Sequence, residues 1–157
     1  MRSEPTITQP RIARTAFGAV TTTPAAARSF VRHTMRTWGY DEDIDTAELI
    51  VSELVTNAVK AATKQDNPHS TDLRDMPMVG IELQSYEQAI RIAVQDSNHE
   101  QPTPRVATDD AENGRGLLLV QALCRRWDVD LQEGGGKVVW VELALAKRDE
   151  VPVSCRP

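Results

Sequence analysis

The stretch Glu48–Ala62, ELIVSELVTNAVKAA, constrains the fold more than any other part of the chain. Leu49, Ile50, Leu54, Val55, Ala58 and Ala62 recur at helical spacing and form one apolar stripe, which predicts a helix lying on a core. Glu53 and Asn57 are one turn apart and share a side of that helix. A carboxamide oxygen suits the hard Mg2+ ion, and a carboxylate can accept a proton or orient a water, so the pair can serve a metal–phosphate site. It can equally be the solvated polar edge of a core helix.

Two later stretches bear on that choice. In Ala89–Asn98, Ile90, Ile92 and Val94 alternate with polar or small residues, as in a half-buried strand, and the strand ends on the acid Asp96. In Asn113–Val120, Gly114 and Gly116 open an apolar helix. Glycine lets backbone approach a ligand closely, and the unpaired N–H groups of a helix start favour phosphate. Alone, such glycines also read as a simple turn into a helix. The order carries the information: a helix with Glu and Asn, a strand ending in Asp, then glycines before a helix.

That order resembles the GHKL ATPase superfamily, which covers gyrase B, Hsp90, histidine kinases and MutL. Within it the chain is most similar to the single-domain anti-sigma factor serine kinases of the RsbW/SpoIIAB type and to related small bacterial ATP-binding regulatory proteins. Ser52–Ala58 (SELVTNA) matches the N box, Asp96 the acid of the D-x-G-x-G box, and Gly114-Arg115-Gly116-Leu117 the glycine box after the lid. Gly134–Trp140 stands where the family has its last G-T box and final strand, and the resemblance covers roughly residues 12–146. It implies a two-layer α/β sandwich of the Bergerat type, in the α+β class. The sheet would be mixed and mostly antiparallel, with about three helices on one face.

The resemblance also implies roles. Asn57 would hold Mg2+, Glu53 would be the general base or position the attacking hydroxyl, and Asp96 would accept from the adenine amino group of ATP. Gly114 and Gly116 would offer backbone donors to the phosphates, with Arg115 and Leu117 in the same box. The family's first glycine after the acid is Asn98 here, its second is Glu100, and the usual Thr of the last box is Lys137. Asn tolerates positive φ best among the other residues, so Asn98 can keep the turn. Lys137 cannot repeat the threonine's role, but it can pair with Asp96 or with a phosphate.

The implied activity is ATP-dependent phosphorylation of a Ser or Thr on a STAS-type anti-sigma factor antagonist, coupled to sequestration of a sigma factor and hence to transcription regulation. The alternative is a nucleotide- or protein-binding switch that acts by sequestration without turnover. Glu53 and Asn57 favour the first; Asn98, Glu100 and Lys137 favour the second. The choice between monomer and homodimer stays open.

Composition sets outer bounds. At 157 residues and 40% hydrophobic, the chain is long enough for one domain with a real core. A net charge of −5 argues against a nucleic-acid partner, and Arg125-Arg126 is expected to complement a helix C-terminus. No apolar run approaches a membrane span and Met1–Pro5 lacks a signal peptide's apolar core, so the expected location is cytoplasmic. Cys124, inside a predicted helix, and Cys155, in the tail, do not suggest a disulfide, and Cys124 reads as a near-core residue. His33, His69 and His99 match no metal-ligand spacing, and Ser52 and Ser97 have no adjacent His base. Trp38, Trp127 and Trp140 fall at predicted element ends.

The pattern predicts a loose segment 1–10, the ATPase-like domain over 11–146 and a loose tail over 147–157. Strands are expected at about 11–20, 78–86, 89–95, 127–132 and 137–146, and helices at 24–38, 44–62 and 114–126. Thr23 would be the N-cap of the first helix, with Pro24 in its first turn, and Gly39 would end it. Residues 63–77 would form a surface loop and 97–113 a nucleotide lid.

Overall fold

The computed structural model describes residues 9–65, 76–86, 88–96 and 112–146. The expectations for the two ends, for most of the 63–77 loop, for the lid, and for His69, Asn98, His99, Glu100 and Cys155 lie outside the described residues.

Strand β1 (Ile12–Gly18) leads into helix α1 (Thr23–Trp38), a short 3-10 turn at Asp41–Asp43, and helix α2 (Ile44–Gln65). Strands β2 (Met78–Ser85) and β3 (Ala89–Asp96) follow, then helix α3 (Glu112–Leu123) and strands β4 (Arg126–Leu131) and β5 (Lys137–Ala144). The sheet order is β1-β2-β3-β5-β4, and all four pairings among the described strands are antiparallel, so the described sheet is antiparallel throughout and not mixed as expected. With three helices, it makes the α+β sandwich that the sequence predicts.

Side-chain alternation separates the two sheet faces. Val79, Ile81 and Leu83 of β2, Ile90, Ile92 and Val94 of β3, and Val139, Val141 and Leu143 of β5 point to one side and are buried. Ile50, Val51, Leu54, Val55, Ala58 and Ala62 of α2 cover that side, with α2 packed on β3 and α1 beside it. The buried stripe of α2 is rotated slightly from the predicted one: Leu49 is 40% exposed, while Ala47, Val51 and Val59 are buried. Burial at about 25 cal/mol per Å2 of apolar surface makes this layer contact the main driving force of folding. Between the helices, Arg32 pairs with Glu48 at 2.6 Å and Arg28 Nη1 donates to Ser52 Oγ at 2.9 Å.

The opposite sheet face carries charge in compensating pairs. Arg14 Nε donates to Glu82 Oε2 at 2.6 Å across β1 and β2. Arg126 Nε donates to Glu142 Oε2 at 2.9 Å, and Arg125 lies 3.6 Å from the same carboxylate. Helix α3 ends at Leu123, so Arg125 and Arg126 do not complement its C-terminus as expected; both serve Glu142, one strand away. Trp140 is not at an element end either. It sits within β5 on this face, with the Arg91 and Arg126 guanidinium carbons 4.6 and 5.6 Å from its ring centroid. Trp38 closes α1 and meets Tyr40 edge to face, at 6.5 Å between centroids. Cys124 packs against the core, and burial pushes its thiol up from the ordinary cysteine value.

Helix ends follow local chemistry. Gly39 adopts φ 79° and ψ 32°, donates to the Arg36 carbonyl, and is followed by Tyr40 N donating to Met35 O. That is a Schellman ending, which a Cβ would strain. At the start of α1, Thr23 is not the cap. The N-cap is Thr22, whose side chain makes no capping bond, and the helix begins at Thr23. The Thr23 hydroxyl, in a residue 2% exposed, donates to the Gly18 carbonyl and accepts from Val20 N. It therefore fastens the end of β1 to α1. Thr23→Val removes both bonds but leaves Val20 N donating to Gly18 O at 2.9 Å, so it is expected to lower stability by about 0.5–1.5 kcal/mol. Thr22→Ala is expected to change it by less than ~0.5 kcal/mol. Urea denaturation midpoints of the two variants check which threonine carries the junction.

Candidate functional site

Two independent contacts gather the sequence-predicted residues. The first joins α2 to α3. Glu53 is half-buried on the side of α2 that faces α3, and Asn57 is half-buried one turn further on. A Cβ added at Gly116 would collide with the Glu53 carboxylate, with Cδ only 2.9 Å away. The backbone of α3 at Gly116 thus comes close to an acid side chain, and a larger residue there would make the end of Glu53 turn aside. Gly116 lies one turn inside α3, which starts at Glu112, so its N–H points back along the helix rather than out of its end. Gly114 falls in the first turn, where backbone N–H groups have no intrahelical acceptor. Arg115 is exposed beside it. Leu117 is 2% exposed.

The second contact is at the sheet end. Asp96 and Lys137 are direct cross-strand partners, the last register pair of β3 and β5. They continue the alternation of Val94 and Val139, so both face the helix-covered side. Lys137 Nζ lies 3.3 Å from Asp96 Oδ1, and both side chains are buried. Lys137 therefore pairs with the acid, one of the two options open to it in the sequence. The glycines before it have a local explanation as well. Gly135 and Gly136 take φ 99° and 88° in the β4–β5 hairpin, where Gln132 N donates to Gly136 O and Gly135 N to Gln132 O. Such angles favour glycine.

Chemically, the set comprises a carboxamide and a carboxylate on one helix wall, a buried acid at a strand end, and the open first turn of a second helix. These groups fit a magnesium nucleotide: the carboxamide and carboxylate suit Mg2+ and a proton, and the helix start suits phosphate. No cluster of three or more His, Cys, Asp or Glu able to hold a metal by itself occurs among the described residues. Two concavities among the described residues lie elsewhere. One, of about 430 Å3, is on the open sheet face by Arg14, Gly80, Arg91 and Gln95; another, of about 500 Å3, is at the sheet rim by Ser85, Gln88 and Arg125. The first is lined by internally paired charges and neither contains a site residue, so chemistry points to the Glu53 end. Sequence reading passed over Arg28, whose bond to Ser52 fastens α1 beside Glu53; the two residues are 24 apart and no local pattern links them.

The model of the histidine kinase-like ATPase domain family matches residues 18–143, a span that contains every one of these side chains. No curated protein matches the chain. No helix among the described residues is long and apolar enough to cross a membrane.

The Glu53–Gly116 contact has a measurable consequence. Replacing a helical glycine by alanine ordinarily stabilises by roughly 0.5–1 kcal/mol. Here the methyl group and the carboxylate claim one volume, so the flexible end of Glu53 must turn aside and Gly116→Ala is expected to gain less than that. Adding Glu53→Ala should restore the full gain. Denaturation of the two single variants and the double variant measures the coupling, and additive effects would show that the two groups do not touch.

Proposed function

Because the chain belongs to the histidine kinase-like ATPase domain family, we propose that it binds Mg-ATP where α2, α3 and the ends of β3 and β5 meet. We further propose that it phosphorylates a Ser or Thr of a STAS-type anti-sigma factor antagonist and sequesters a sigma factor. Membership carries an ATP-binding role and ATPase or kinase chemistry; the protein substrate and partners are part of the proposal. The observation that supports it most is the Glu53 carboxylate seated against Gly116, which joins the acid of one motif to the glycines of another.

In this reading Asn57 gives an amide oxygen to Mg2+, and Asp96 accepts from the base. Gly114 and the first turn of α3 donate to phosphate, with Arg115 outside them and Asn98 beyond Asp96. Bound Mg2+ would supply charge neutralisation at the phosphates. The substrate hydroxyl oxygen attacks the γ-phosphorus, the bond to the β-bridging oxygen breaks, and Glu53 takes the hydroxyl proton. Held in a packed contact, the acid keeps its orientation, which is what a general base needs before the reacting atoms arrive.

A binding switch without turnover is the second reading. Lys137 buried on Asp96 favours it, because the acid that would meet the base already holds a cation. Phosphotransfer separates the readings. Glu53→Gln should keep Mg-ATP and partner binding yet slow single-turnover phosphotransfer at least ~100-fold. If the wild-type chain captures a STAS-type antagonist but transfers no phosphate to it, the switch reading stands and the kinase reading falls. Asn57→Ala should abolish most of the tightening of ATP binding by Mg2+, read by calorimetry with and without EDTA; an undiminished effect would move the metal elsewhere.

A further inference from the structure

The strands turn their second face away from the helices, and no described helix covers it. Register lays small residues side by side there: Ala16, Gly80 and Ala93 floor a hollow of about 430 Å3. Arg91 forms part of its wall, stacked 4.6 Å from the centroid of the Trp140 ring. Charge on this face comes in both signs at close range. Arg14 pairs with Glu82, Arg91 with Asp130 and Arg126 with Glu142, at 2.6, 3.7 and 2.8 Å. The chain as a whole carries −5, so this balance belongs to the face and not to the composition. At the two ends of the β1–β2 ladder, Ile12 and Met78 add apolar surface that is 45% and 52% exposed.

We propose that this face is the interface of a homodimer, covered by a second copy of the chain across a twofold axis. A twofold interface uses the same patch on both copies, so the patch must supply both sides of every contact. A face of paired arginines and carboxylates meets that demand: turned against itself, it sets cations of one copy against acids of the other. A partner of one dominant sign, such as an acidic peptide or a nucleic acid, would call for a face of the opposite sign. Shape matches in the same sense. The Arg91–Trp140 stack stands beside a floor of alanine and glycine, so each copy offers one projection and one hollow. Arginine and tryptophan are also among the residues enriched at interfaces. The chain's own end is directed elsewhere: beyond β5, Ala146 N donates to the Asp43 carboxylate, in the helix layer. Because this face lies across the sheet from the side that Asp96 faces, the inference stands apart from the nucleotide reading and leaves that site open.

Sedimentation equilibrium of the full chain without nucleotide should show mainly dimer at ~100 μM. Gly80→Lys puts a long cationic side chain into the hollow. Its Cβ meets nothing nearer than Gln95 Cβ at 3.6 Å, an ordinary contact, so the strand accommodates it. It should weaken the dimer at least ~100-fold. Leu118→Lys, at a leucine 42% exposed in the helix layer, should leave the dimer unchanged. Circular dichroism monitors folding of the variants. If Gly80→Lys does not fold, Arg14→Glu serves: it sets two acids side by side on an exposed part of the face and should weaken the dimer at least ~10-fold. A monomeric wild type overturns the proposal, leaving the chain's own ends or an unlike protein to cover the face. A dimer that the face variants leave intact, or that Leu118→Lys dissolves, overturns it too, because the contact then lies elsewhere.

Discussion

Burial of the α2 stripe against β3 fixes the position of the helix-borne polar groups at the candidate site. Ile50, Leu54, Val55 and Ala58 cannot leave the sheet without exposing a large apolar area, so the rotation of α2 about its axis is set by the core. Glu53 and Asn57 flank that stripe, and their direction follows from it. Helix α3 then rests on α2, and Gly116 lets its backbone come up to the Glu53 carboxylate. A larger residue at 116 would separate the helices or displace the acid.

The sheet plays the complementary part. Its alternation sends apolar side chains toward the helices for most of each central strand, then places Asp96 and Lys137 on that same side at the final register pair. A carboxylate and an ammonium side by side hold each other in a low-dielectric setting where either alone would be expensive. Different physics governs the open face, where Arg14, Arg91, Arg125 and Arg126 are matched by Glu82, Asp130 and Glu142. Arg14, Arg125 and Arg126 are substantially exposed and Arg91 is half-buried, so the exposed pairs add little to stability, and the charges chiefly keep polar a sheet face that no described helix covers.

Family membership and local geometry meet at different levels. The match over residues 18–143 carries the ATPase-type domain and its sandwich of helices on an antiparallel sheet. What this chain adds is a lysine paired with the acid at the strand end and a Glu53 carboxylate close against the helix backbone at Gly116. The first sets the charge at the strand end, and the second places an acid beside the start of α3.

Periodicity by itself determined the element order, the helical nature of the Glu53–Asn57 segment and the strand that ends on Asp96, because spacings of two and of three to four residues translate directly into one face of a strand or helix. Gly39 was legible as a helix stop for a similar reason: few other residues take the left-handed conformation it occupies. Local pattern did not reveal that Leu49 turns outward, that Thr23 ties Gly18 to Val20 instead of capping, or that Arg125 and Arg126 serve Glu142. Each depends on a partner that only packing brings near. The same holds for the two contacts that define the site. Sequence supplied Glu53, Gly116, Asp96 and Lys137 as candidates, but helix packing decided that the first two touch, and strand register decided that the last two pair in a buried position, because distance between residues far apart in the chain is a property of the folded layers and not of local spacing.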